Sequence, residues 1–149
     1  MDEVQARAAF ELALASHRPE FGRFFLLRLY GLAISCQEDR SVVEFDVRDF
    51  MFNPQGSLHG GVIAFVLDVA MGHLLQHARG AGMTLEMRTQ FLRPVGVGPA
   101  RAEGRFLKWG RSISFLEARL WNAKEELAAI ATSTWQRIES SGSVKPPQP

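Results

Sequence analysis

Residues 58–79 read LHGGVIAFVLDVAMGHLLQHAR, and this stretch decides the fold. Its apolar residues fall on nearly every face of a helix, so the pattern predicts a helix wrapped by other structure rather than one laid on a surface. Gly80-Ala81-Gly82 supplies the stop. Asp68 in its middle, and His59 and the glycines at its start, make the stretch a poor membrane span and a good buried helix.

Beyond the helix the chain alternates. Thr84 to Phe91 sets Leu85, Met87 and Phe91 on one side, and Arg101–Leu107, Ser112–Trp121 and Glu126–Ile138 read as three further strands. Pro94–Gly98, Trp109-Gly110 and Asn122–Lys124 provide turns. Before the helix, residues 49–57 form a turn-rich loop punctuated by Asn53-Pro54 and Gly56. Residues 42–48 put Val43, Phe45 and Val47 on one face and Glu44, Asp46 and Arg48 on the other, a half-buried strand. Phe24–Ile34 is a nearly continuous apolar run and is expected to be the strand before it. Residues 2–16 read as a helix with acids in the first turn. The expected order is helix, two strands, one apolar helix, four strands. Connections this short cannot make parallel crossovers, so the class is α+β with an antiparallel sheet. One domain is expected over 1–139, with the polar, proline-rich residues 140–149 as a disordered tail.

Composition narrows the function. With 46% hydrophobic residues a sizeable core is possible, and 17 basic against 16 acidic residues leave no electrostatic footprint for nucleic acid. Cys36 is the only cysteine, which excludes an internal disulfide and a CxxC metal site. His17, His59, His73 and His77 offer no convincing ligand set, so no metal is expected. Met1-Asp2-Glu3 carries acid where a signal peptide needs base, and a soluble, cytoplasmic protein without membrane partners is the expectation.

Chemistry concentrates between residues 53 and 68. His59-Gly60-Gly61 stands at the helix start, where exposed N–H groups and the helix dipole can stabilise a developing oxyanion, and where glycines can equally serve close packing. Asp68 is the one acid between Asp49 and Glu86. A carboxylate in such apolar company is costly unless paired or functional. Positions 64 and 72 are Ala and Gly, so no i±4 base pairs with it. A structural acid bonded to a loop backbone or an arginine is the other reading. The amide of Asn53, an ordinary turn residue before proline, can orient a water or the carboxylate. Gly60 and Asp68 are eight residues apart, roughly 12 Å along one helix. That is too far for both to reach one carbonyl carbon, so a shared site requires a second copy with its helix antiparallel.

The series Asn53-x2-Gly56-x2-His59-Gly60-Gly61-x6-Asp68, then Thr84-x-Glu86-x4-Phe91-Leu92-Arg93-Pro94, resembles the hotdog-fold acyl-CoA thioesterases. The PaaI-type phenylacetyl-CoA thioesterases, cousins of the 4-hydroxybenzoyl-CoA thioesterases, look nearest. The similarity runs from about residue 32 to 138. It implies an antiparallel sheet wrapped around one long helix and sites at a dimer interface, with dimers often paired into tetramers. It implies Asp68 as nucleophile or general base, and the Gly60 N–H as the group that polarises the thioester carbonyl. Asn53 assists, and Thr84 helps to place water. His59, Gly61, Arg93, Lys108 and Arg111 are expected on the substrate side, the basic residues facing the phosphates of CoA. The substrate so implied is an aryl- or medium-chain acyl-CoA. No cofactor is needed, because coenzyme A is part of the substrate. A hotdog hydratase or dehydratase using His59 with Asp68, and a non-catalytic acyl-CoA-binding protein, are the alternatives.

Overall fold

The computed structural model describes residues 1–138; the expected tail at 140–149 lies outside the described residues. Helix α1 spans Glu3–Ser16, and its N-cap Asp2 accepts a hydrogen bond from Gln5 N–H at 3.0 Å. A short helix α2, Phe25–Leu29, precedes strands β1 (Ala33–Cys36) and β2 (Arg40–Val47). After a single 3-10 turn, Asp49–Met51, comes the long helix α3, Gly60–Arg79. Strands β3 (Gly82–Phe91), β4 (Gly98–Trp109), β5 (Ile113–Trp121) and β6 (Leu127–Arg137) complete the chain. They form one six-stranded sheet in the order β1-β2-β4-β5-β6-β3, every pair antiparallel. This is an α+β architecture with one long helix against an antiparallel sheet, as the resemblance implies.

The core is the inner face of α3 packed against one face of the sheet. Ile63, Val66, Leu67, Ala70, Met71 and Leu74 are buried there. They meet Val43, Phe45 and Val47 of β2, Ala100 and Ala102 of β4, and Leu116, Ala118 and Leu120 of β5. The small residues let the helix come close. A Cβ at Gly104 would sit 3.0 Å from the Ala70 carbonyl and 2.7 Å from Ser41 Oγ, while Ser41 Oγ donates to that same carbonyl at 2.7 Å. Burying this hydroxyl is tolerable because it is hydrogen-bonded.

Three expectations are corrected. The apolar run 24–34 is not one strand: it folds as α2, and Gly31 turns the chain at φ 65° before β1 begins at Ala33. A left-handed residue breaks both periodicities, and Gly adopts that conformation without strain. The long helix starts at Gly60 rather than Leu58. Leu58 N–H is bonded to Val95 O at 2.8 Å, and Leu58 bridges Phe52, so its backbone is held in a strand-like pairing before His59 caps the helix. On β3 the alternation slips. A bulge between Thr84 and Glu86 makes Leu85 the extra residue, which turns Leu85 out to solvent while Thr84 and Met87 both lie half-buried. A bulge inserts one residue and so shifts the phase of every side chain beyond it.

Candidate active site

Asp68 projects from the middle of α3, half-buried, and accepts a hydrogen bond from Thr84 Oγ1 at 3.0 Å. The β3 bulge makes this contact possible. In unbroken alternation Thr84 and Met87 would face opposite sides; with Leu85 displaced, both serve the helix side. Burial pushes the Asp68 carboxyl up from the ordinary carboxylate range, and the Thr84 hydroxyl and, more weakly, His73 pull it back. His73 is held down by its own burial, against the opposing pull of the Val69 carbonyl and Asp68. The recorded partner of Asp68 is thus a strand hydroxyl, not an arginine or a loop amide.

The first turn of α3 shows which N–H is available. His59 Nδ1 accepts from Gly61 N–H at 2.9 Å, and the His59 carbonyl accepts from Val62 and Ile63 at 2.9 and 3.1 Å. Among the described residues, Gly60 carries the one N–H of that turn with no acceptor assigned. A Cβ on Gly60 would lie 3.4–3.9 Å from the Phe91 ring, ordinary contact with a half-exposed side chain. Packing therefore does not demand glycine at this position, whereas close approach of a ligand to the N–H does. At Gly61 a Cβ would press His59 Nδ1 at 3.1 Å, so this glycine serves the cap.

Asn53 closes its own loop. Its Oδ1 accepts from Gln55 and Ser57 N–H at 3.0 and 3.3 Å, and its Nδ2 donates to Ser57 Oγ at 3.2 Å. It nonetheless lines one cleft with Gly60, Phe91 and Arg93. Arg93 Nη1 donates to Leu127 O at 2.9 Å, which fixes its guanidinium at the cleft edge. Lys108, exposed near the end of β4, and Arg111, exposed in the β4–β5 turn, lie elsewhere. That turn belongs to the Thr84 end of the sheet, because Ser114 is paired with Trp135 on β6 and Trp135 with Thr84 on β3.

The candidate residues therefore fall into two groups on one chain. Asn53, Gly60, Phe91 and Arg93 gather at the N-terminal end of α3, and Asp68 with Thr84 gathers farther along it, with Lys108 and Arg111 at the same end of the sheet. The ring of Phe91 lies over Gly60, a tertiary contact that no local pattern announces. Among the described residues no three His, Cys, Asp or Glu side chains converge as metal ligands.

Residues 55–129 match the thioesterase superfamily. A Saccharolobus solfataricus protein named "Putative esterase SSO2140" is 28% identical over 114 residues, covering 75% of this chain and 81% of that protein. The E. coli PaaI protein, from the phenylacetic acid degradation operon, superposes with TM-score 0.76 at 21% identity, covering 90% of this chain and 96% of its own. Thioesterase HI1161 from Haemophilus influenzae superposes with TM-score 0.70 at 22% identity, covering 74% and 80%. At those identities the two structures speak to fold alone, whereas the family match spans half of the chain and includes both Gly60 and Asp68. The chain belongs to the thioesterase superfamily and has its hotdog fold.

Proposed function

We propose that this protein hydrolyses an acyl-CoA thioester at a site shared between two copies of the chain. The observation that carries the proposal is the distribution of parts along β3. Thr84, bonded to Asp68, lies near one end, and Phe91, whose ring covers Gly60, forms the other. β3 is an edge strand with Met83, Leu85 and Phe91 exposed, an unpaired row of backbone groups with apolar side chains that invites a second strand. An antiparallel two-fold near the middle of β3 would bring the Thr84 end of one strand beside the Phe91 end of the other copy's. The free Gly60 N–H of one chain would then approach Asp68 of the other, an isologous contact that makes two identical sites.

In such a site the thioester oxygen accepts from the Gly60 N–H, reinforced by the positive end of α3. Asp68 takes a proton from water as the water oxygen bonds to the carbonyl carbon, or attacks that carbon itself. Collapse of the tetrahedral species breaks the carbon–sulfur bond and expels CoA thiolate. On the water route the protonated Asp68 returns its proton to the thiolate and the free acid leaves. On the direct route water hydrolyses the acyl–Asp68 anhydride, which frees the acid, regenerates the carboxylate and supplies the thiolate's proton. Desolvation of Asp68 favours base strength, and Thr84 keeps the carboxylate ionised and aimed. His59 is engaged as the helix cap, which weakens the hydratase alternative. An intact acid–hydroxyl pair weakens the binding-only one.

For the acyl group we favour an aryl or medium chain. Phe65, three residues before Asp68 on α3, meets Phe24 and Tyr30 with ring centroids 6.1 and 5.6 Å apart, an aromatic cluster against which an acyl ring can pack. Thiol release from phenylacetyl-, benzoyl-, hexanoyl- and palmitoyl-CoA, read as kcat/KM, tests the proposal. Release from none of them would overturn the thioesterase reading, and a preference for palmitoyl-CoA would overturn the acyl assignment.

A further inference from the structure

Beside Asp68 one large side chain has a setting that packing alone does not require. Trp135 of β6 is 5% exposed, whereas Trp109 is 45% exposed. Its backbone is paired with Thr84 of β3. Directly opposite residues share one face of a sheet, with Cβ atoms about 5 Å apart. From the other side the ring lies on α3: a Cβ on Gly72 would meet Trp135 Cη2 at 2.9 Å and Cζ3 at 3.4 Å. Gly72 stands one turn beyond Asp68 on the same helix face, and Thr84 Oγ1 donates to Asp68 at 3.0 Å. The indole is thus tied by strand register to the residue that bonds the carboxylate, and by contact to the turn that follows it.

The chain gives up local stability for this arrangement. Glycine inside a helix is less stable than alanine, yet a methyl at 72 would collide with the ring. The ring is also locked in orientation. Trp135 Nε1–H donates to Ser133 Oγ at 2.6 Å, and Ser133 Oγ donates in turn to Met71 Sδ at 2.9 Å. A buried indole needs such an acceptor. An aliphatic side chain would fill a core position with neither the glycine nor the buried hydroxyl, so packing explains neither.

We infer that Trp135 is a positioning residue of the hydrolytic site, its indole keeping water off the Asp68–Thr84 pair and holding the Thr84 hydroxyl on the carboxylate; this rests on the acyl-CoA reading above. Burial raises the Asp68 pKa, and a carboxyl packed beside an indole loses water that would stabilise its charge. The opposing pulls come from Thr84 and from His73 of α3. Glu86 and Arg88 of β3 are exposed and paired with Thr134 and Thr132, which alternate with Trp135 and so lie on the other face of the sheet. Arg137, the one charged residue of β6, is exposed at the strand end opposite Gly82. Trp135 therefore acts through Asp68, making it the stronger base, without touching the substrate.

The test reads Asp68 itself and needs no turnover. Its carboxyl carbon, identified by its loss in Asp68→Asn, is followed by carbon NMR across a pH series in the full chain. In folded Trp135→Phe the smaller ring admits water, so the midpoint should move to lower pH, and the acid limb of kcat/KM with it. This is the opposite direction to removal of the Thr84 hydroxyl, and a merely structural role would leave both unmoved. An unmoved midpoint, or one moved to higher pH, overturns the inference. Gly72→Ala should lower Tm in the native chain and do so far less in Trp135→Phe, whose shorter ring clears the methyl; equal losses would also overturn it. Should Trp135→Phe not fold, the unmutated chain still decides. The Trp135 indole N–H resonance, identified by elimination with Trp109→Phe and Trp121→Phe, should titrate with Asp68 and stay flat in Asp68→Asn, and a signal indifferent to Asp68 overturns the inference. A midpoint that depends on Trp135, in a protein that releases no thiol from any acyl-CoA, would leave its hold on Asp68 standing and overturn the hydrolytic reading alone.

Discussion

Gly60→Ala separates the ligand role of this glycine from a packing role, because the two predict opposite outcomes. The added methyl would meet only the half-exposed Phe91 ring at 3.4–3.9 Å, and the residue's φ lies outside the left-handed region. The fold therefore has no objection to it. Removing glycine's excess freedom in the unfolded chain should stabilise by about 0.4–1 kcal/mol, which at this size raises Tm by about 1–4 °C. Activity should move the other way. The methyl projects into the cleft between the free N–H and Phe91, where a thioester oxygen must come close. Displacement of a reacting group by about 1 Å costs on the order of a hundredfold in rate. A thermal scan and a thiol-release assay on one preparation measure both effects. Gly61→Ala is the contrast. Its methyl presses His59 Nδ1 at 3.1 Å, so it should weaken the cap and lower Tm, at a cost of about 1 kcal/mol. Wild-type kcat/KM in Gly60→Ala, or a Tm several degrees below wild type, would refute the reasoning.

Asp68→Asn should lower kcat by about a hundredfold or more, the scale of losing a general base or nucleophile. It should also stabilise the protein near neutral pH. Because burial raises the folded pKa of Asp68, ionising it costs stability as pH climbs from the unfolded value near ~3.9 through the folded one. The gain in Tm should accordingly vanish below about pH 4, and a Tm difference independent of pH would contradict this account. Thr84→Val removes the hydroxyl that holds the Asp68 pKa down, so the acid limb of kcat/KM should move to higher pH; an unmoved limb would mean that the 3.0 Å bond does not act on the carboxylate. Refolding Gly60→Ala together with Asp68→Ala should restore thiol release, because each heterodimer regains one site with both residues intact. Heterodimers that form and stay inactive would eliminate the shared site.

Local chemistry made much of this fold legible from the chain alone. A helix apolar on every side, bounded by glycines, and strands alternating at period two announce themselves through neighbours only a few residues apart. That is why α3 and the inward set Val43, Phe45 and Val47 were readable before any packing was known. Asp68 stood out for the same reason, as a charge amid apolar neighbours without an i±4 base. Thr84, by contrast, entered through family resemblance, because plain alternation set Leu85 with Met87 and left Thr84 on the other side. The bulge at Leu85 reverses that, and a bulge depends on how β3 pairs with β6, a strand more than forty residues away in the chain. The division of 24–34 at Gly31 likewise turns on one backbone angle rather than on hydropathy. That among the described residues Gly60 carries the one unbonded N–H in the first turn of α3, that His59 is a cap and that Phe91 lies over the glycine are facts of hydrogen bonding and contact in three dimensions. Sequence determined which elements form and which residue types carry the chemistry, because those follow from short-range periodicity and the cost of burying charge. Tertiary structure alone decided which side chains face one another, because strand register and helix approach are set by contacts between segments distant in the chain.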